Sequence, residues 1–262
     1  MPLGLRRSLA VAAALFVLAG CGSAPEPGAP EPAGSAPAAE AAPSPTPGRC
    51  SDPELDERQV TFADSAGVYL SGYLLGTGRT ALVLAPQASA NACSWLSWAK
   101  QQAAAGYRVL AFDFAGEGRS RRGPGSTMPG DVTAAAAFVR SQGATAVVLI
   151  GASRGGTAVL TAAPTANPTA VVSLSAPSTY SGMDALAAVP KLTAPVLYLA
   201  ATGDSGFADD AKALHAATPG DKRTLQLVPG SLHGTAFVTI AAEGAPEALA
   251  ALTTFLKANA PA

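Results

Sequence analysis

Residues 145–156 read TAVVLIGASRGG, and this stretch decides the fold. Five apolar residues, Ala146, Val147, Val148, Leu149 and Ile150, run into Gly151-Ala152-Ser153-Arg154-Gly155. A strand with no polar face belongs inside a parallel sheet that is covered on both sides. Gly151, Gly155 and Gly156 permit a tight strand-to-helix turn, which would lift the Ser153 hydroxyl above the carboxyl edge of the sheet and aim a helix N-terminus at it. The bland alternative is a Gly-rich connection, in a chain with 27 glycines.

Working outward, the same alternation recurs. Strand-like runs at 80–85, 107–112, 171–174, 196–200 and 225–228 are interleaved with helical stretches near 93–105, 130–142, 153–162, 208–217 and 246–258. This predicts a mostly parallel α/β sheet with helices on both faces. Two further runs, 58–62 and 68–75, flank Asp64-Ser65-Ala66-Gly67 and read as an antiparallel hairpin that opens the domain. Sheets of this kind keep their sites at the carboxyl ends of the strands, where Ser153 falls.

A serine hydroxyl needs a base, and the base needs an orienting acid. The chain has two histidines. His215 lies in the helical stretch AKALHAAT and reads as a half-exposed surface residue. His233 follows the run LQLVP in the small-residue loop Gly230-Ser231-Leu232-His233-Gly234, where a base could reach Ser153; the alternative is a solvated loop histidine. Asp204 follows the 196–200 strand in Ala201-Thr202-Gly203-Asp204 and is the candidate acid, a turn-forming aspartate being the alternative. Asp209 and Asp210 read as first-turn or solvated charges.

With these residues in place the chain from residue 50 to 262 resembles an α/β-hydrolase, in which nucleophile, acid and histidine follow the order of Ser153, Asp204 and His233. Asp113-Phe114-Ala115-Gly116-Glu117-Gly118-Arg119-Ser120 is similar to the family's D-x-x-G-x-G-x-S segment, for which turn chemistry and packing are the bland roles. The family's usual His-Gly after its third strand is replaced by Pro86-Gln87. The resemblance implies an oxyanion hole from the backbone N–H groups of Ala88 and Arg154. It leaves the Gln87 amide two roles, binding the oxyanion or substrate, or satisfying loop backbone. About twenty residues separate Ser175 from Pro195 and read as one loop and one short helix, so no cap domain is expected. A capless form resembles dienelactone-hydrolase-like and carboxylesterase-like members. A serine nucleophile disfavours dehalogenase and epoxide hydrolase chemistry, which needs a carboxylate. The activity implied is hydrolysis of a small-molecule ester through an acyl-enzyme, without cofactor or metal. The rival is an inactive surface binding or scaffolding protein of the same fold; a weaker third idea places the function in the tether, as an adhesive lipoprotein.

Composition sets the remaining bounds. A net charge of −1 with 13% charged residues offers neither a basic face for nucleic acid nor an acidic tail. Residues 1–20 read as a signal peptide, with Arg6 and Arg7 before the apolar run 9–18. Leu18-Ala19-Gly20-Cys21 resembles the bacterial lipobox, which implies cleavage before Cys21 and a lipid anchor on the outer face of the membrane; an uncleaved anchor or an ordinary secretory signal is the alternative. Residues 21–49, rich in Ala and Pro, read as a disordered, extended tether, and 50–262 as the folded domain, with a monomer favoured. Of three cysteines, lipidation of Cys21 leaves Cys50 and Cys93, expected to pair in an exported protein; two unrelated thiols are the alternative.

Overall fold

The computed structural model describes residues 50–262. The expected signal peptide of residues 1–20, the expected lipidation of Cys21 and the expected tether of residues 21–49 lie outside the described residues.

Eight strands form the main sheet. An antiparallel hairpin of β1 (Gln59–Ala63) and β2 (Tyr69–Leu75) opens it, turning at Asp64, whose Oδ1 accepts the N–H groups of Ala66 and Val68 at 2.9 and 2.8 Å. There follow β3 (Thr80–Ala85), α1 (Leu96–Ala104), β4 (Arg108–Phe112), α2 (Met128–Ser141), β5 (Ala146–Ala152), α3 (Arg154–Ala166) and β6 (Ala170–Leu174). A two-stranded hairpin of β7 (Thr179–Tyr180) and β8 (Met183–Asp184) then leads into α4 (Ala185–Ala188). The chain ends with β9 (Val196–Ala201), α5 (Phe207–Ala217), β10 (Arg223–Val228), α6 (Ala236–Thr239) and α7 (Ala245–Asn259).

The strand order is β1-β2-β4-β3-β5-β6-β9-β10. From β4 to β10 every neighbouring pair is parallel. The chain moves from β3 to β4 on one side and later returns to place β5 on the other, so the crevice between β3 and β5 is the point where the winding reverses, the place such sheets reserve for ligands.

Both faces are covered because the central strands are apolar throughout. In β5, Val147 and Leu149 pack under α2 and α3, whereas Val148, Ile150 and Ala152 face the side of α1 and α7, with Trp95, Trp98, Leu252 and Phe255. Leu149 is fully buried, and truncating it to alanine would cost about 2–5 kcal/mol by lost transfer energy and the cavity left behind. Helix α2 starts where Thr127 Oγ1 accepts the Gly130 N–H at 3.2 Å, with Pro129 in the first turn, where its missing N–H costs nothing.

The structure departs from the sequence reading in two places. Residues 175–195 hold the small β7–β8 hairpin, α4 and a 3-10 turn (Val189–Lys191), more than one loop and one helix, and no cap domain is evident. The helix expected at 93–105 starts as a 3-10 turn (Ala92–Trp95), because Asn91 Oδ1 takes the Cys93 N–H at 3.0 Å and winds the first turn tightly. Cys50 and Cys93 form a disulfide, with Cα atoms 5.5 Å apart across 43 residues of sequence.

Candidate active site

Ser153 sits between β5 and α3 with φ 50° and ψ −122°, a conformation that costs a non-glycine residue energy and is held by what surrounds it. Its N–H donates to Leu174 O at 2.8 Å, and its carbonyl accepts the N–H of Gly156 at 2.8 Å. The turn admits only glycine on either side. A Cβ at Gly151 would lie 2.1 Å from Gly155 O, and one at Gly155 would lie 2.4 Å from Ala85 O. The elbow is therefore pressed against the end of β3, and the loop with Pro86, Gln87 and Ala88 lies beside it. The backbone N–H of Arg154 is the first of α3 and has no acceptor inside that helix. Ala88 is exposed at the same edge.

Asp204 and His233 come from the turns after β9 and β10. Asp204 is 9% exposed, and its Oδ2 lies 2.8 Å from His233 Nδ1. A carboxylate only accepts, so Nδ1 donates the proton of this bond, and Nε2 is the ring nitrogen turned away from the carboxylate. The same Oδ2 accepts the Ser175 hydroxyl at 2.7 Å, from a fully buried residue at the end of β6. The Phe207 ring packs on the imidazole with centroids 4.5 Å apart. Three ladders separate β5 from β10, roughly 14 Å at ordinary strand spacing. The five residues after Val228, 229–233, can cover about 17 Å when extended, so the loop has just the reach to return the histidine toward β5.

The next residue shows where that loop arrives. Gly234 has φ +57°, and a Cβ there would lie 3.3 Å from Ala152 Cβ and 2.2 Å from Gln87 Oε1. Among the described residues no hydrogen bond joins Ser153 Oγ to His233; the loop that carries His233 passes at Gly234 beside Ala152, the residue before Ser153, and catalytic hydrogen bonds commonly form only when substrate binds. Gln87 Oε1 accepts both the N–H of Thr235 at 2.9 Å and its hydroxyl at 3.1 Å. The carbonyl end of Gln87 thus serves loop backbone, the second of the roles expected for it.

Two partners escaped the sequence reading. Ser175 could have been suspected as a polar residue closing the apolar strand Ala170–Leu174 at the carboxyl edge. The Arg154 side chain is buried and turns away under the 113–120 segment, where Glu117 binds Nη1 at 2.5 Å and also Nη2, and the guanidinium carbon lies 5.4 Å from the Phe114 ring centroid. That segment is knotted by its own aspartate: Asp113 Oδ1 accepts Ala92 N–H and Oδ2 accepts Arg119 N–H, each at 2.8 Å. His215 is half-buried on α5, and Asp209 and Asp210 lie in the first turn of that helix, as expected. A hollow of about 560 Å³ lined by Phe114, Arg122, Met128, Asp131 and Met183 has none of Ser153, Asp204 or His233 in its wall. Among the described residues no group of three or more His, Cys, Asp or Glu could hold a metal ion.

Residues 80–184 match the sequence model of the alpha/beta hydrolase fold. The structure is similar to an esterase of Pyrococcus furiosus (15% identity, 77% of this chain and 90% of that one, TM-score 0.61). It is also similar to a thermophilic esterase of Thermogutta terrifontis (16% identity, 76% and 98%, TM-score 0.62) and to a monoacylglycerol lipase of Paleococcus ferrophilus (18% identity, 74% and 99%, TM-score 0.61). No curated protein matches the sequence. At these identities the likeness is one of fold, and the chain has the α/β-hydrolase fold.

Proposed function

We propose that this protein is a serine hydrolase that cleaves carboxylic esters, or related acyl bonds, through an acyl-enzyme. The observation that carries the reading is the bond between Asp204 and His233 on the sheet edge that also holds Ser153 in a strained strand-to-helix turn. Similarity of fold to two esterases and a lipase supports it.

His233 Nε2 takes the proton of Ser153 Oγ as the oxygen attacks the substrate carbonyl. Negative charge grows on the carbonyl oxygen, where the N–H groups of Arg154 and Ala88 and the dipole of α3 stabilise it. Asp204 stays ionised and steadies the imidazolium that forms. His233 then protonates the leaving alkoxide, which departs as the alcohol, and Ser153 is left as an ester. Water, deprotonated by the same nitrogen, releases the acid and restores the serine. With no cap over the sheet edge among the described residues, small, accessible esters are the substrate class. Cys21, bearing lipid, and the Pro-rich tether would hold the domain off the outer face of a bacterial membrane.

The test is turnover of p-nitrophenyl esters of graded chain length by the wild type, Ser153→Ala, His233→Ala and His215→Ala. Only the first and last should retain activity. Equal turnover by Ser153→Ala would remove the reading, and an inactive wild type would favour a scaffold.

A further inference from the structure

We propose that Gln87 is a positioning residue for the proposed reaction: it straps the loop after β3, which leads to Ala88, onto the loop after β10, which carries His233. The inference rests on the hydrolase reading above.

The two loops leave the sheet on opposite sides of β5, and 148 residues separate Gln87 from Thr235. Among the described residues, the hydrogen bonds that residues 231–235 send to other parts of the fold go to Asp204 and to Gln87 alone. Asp204 holds the imidazole ring. Gln87 holds the backbone two residues further on. Because Gln87 Oε1 faces two donors of Thr235, the amide cannot be flipped without setting its NH2 against a backbone N–H. The oxygen also occupies the place that a Cβ at position 234 would take, so the strap needs Gly234 beneath it. Thr235 is only 7% exposed, and loss of the acceptor would leave its N–H buried without a partner. The loop would then shift, and a displacement of about 1 Å at a catalytic group can cost on the order of a hundredfold in rate.

The experiment compares Gln87→Ala and Gln87→Glu in the full chain, reading kcat, KM and the pH profile of kcat/KM on p-nitrophenyl acetate. Glutamate keeps an acceptor oxygen for Thr235 and removes the amide donor. Gln87→Ala should lose about 10–100-fold in kcat with KM little changed, and its acid limb should move as the His233–Asp204 contact loosens. Gln87→Glu should recover kcat to within a few-fold of wild type. A purely structural role would scale the profile down without moving it, and that result would overturn the proposal. Gln87→Glu as impaired as Gln87→Ala would overturn it too, because the amide N–H would then be the working group. Should Gln87→Ala not fold, Thr235→Val removes one of the two bonds and should lose kcat several-fold; wild-type kcat in that variant would count against the strap. Failure of the hydrolase reading is separate, shown by Ser153→Ala keeping full activity.

Discussion

Glu117 grips the guanidinium of Arg154, the residue after the candidate nucleophile, with both carboxylate oxygens, although 37 residues separate the two. Their side chains are 6% exposed for Arg154 and 32% for Glu117, so this carboxylate is what compensates the buried positive charge. Removing one member of a buried pair costs about 3–5 kcal/mol, and access of water to Glu117 reduces that figure. Glu117→Ala should therefore lower the unfolding free energy by about 2–3 kcal/mol, measured by urea denaturation. A loss below about 0.5 kcal/mol would mean that the pair is no more than a surface contact.

The Cys50–Cys93 bridge fastens the start of the domain to the turn that precedes α1. Closing a loop across 43 residues lowers the entropy of the unfolded chain by an amount equivalent to about 4 kcal/mol. Cys50→Ser with Cys93→Ser should lose about 2–4 kcal/mol of stability. Indistinguishable melting of the double variant and the oxidised wild type would refute that contribution.

Asp131, on the first turn of α2, is 1% exposed. Its Oδ2 accepts the Ala115 N–H at 2.9 Å, and its Oδ1 has no donor. Burial pushes its pKa up to about 7, against the Ala115 N–H, which lowers it; the neighbouring Asp64 and Glu117 carboxyls push the same way as burial. Below that pH the buried side chain is a neutral carboxylic acid. The folded state then binds a proton that the unfolded state releases near pH 4, so the contribution is full below that pH and is lost as pH rises through about 7. Asp131→Asn, which has no proton to lose, should gain on wild type by about 2–4 kcal/mol between pH 4 and pH 8. Urea denaturation of both proteins across that range checks it, and a difference that stays constant with pH would contradict it.

How far the sequence could be read depended on whether a feature was local. The strand Thr80–Ala85 and the start of β5 at Ala146 follow from unbroken apolar runs, and the positions of Asp204 and His233 follow from counting outward from strand ends. Two-residue strands such as Thr179–Tyr180 have no period to detect, so the β7–β8 hairpin was invisible. Pairings between distant loops leave no local trace. Arg154 with Glu117, Ser175 with Asp204 and Gln87 with Thr235 all depend on which strand ends the sheet order makes neighbours.

The proposed lipidation of Cys21 is open to a partition experiment. Metabolic labelling with an alkynyl fatty acid should mark the wild type in a bacterial host, and Cys21→Ser should move the protein out of the membrane fraction. An unlabelled wild type would leave an ordinary secretory signal as the account of residues 1–20.

Whether Ser153 is a nucleophile activated by His233 is tested by a fluorophosphonate probe, without any need to know the substrate. The probe should phosphonylate the wild type at Ser153, located by mass mapping of the labelled peptide. It should leave Ser153→Ala unlabelled and react at least a hundredfold more slowly with His233→Ala, on the scale expected when a triad member is lost. A wild type that takes up no probe, or one labelled equally well after Ser153→Ala, would contradict the account.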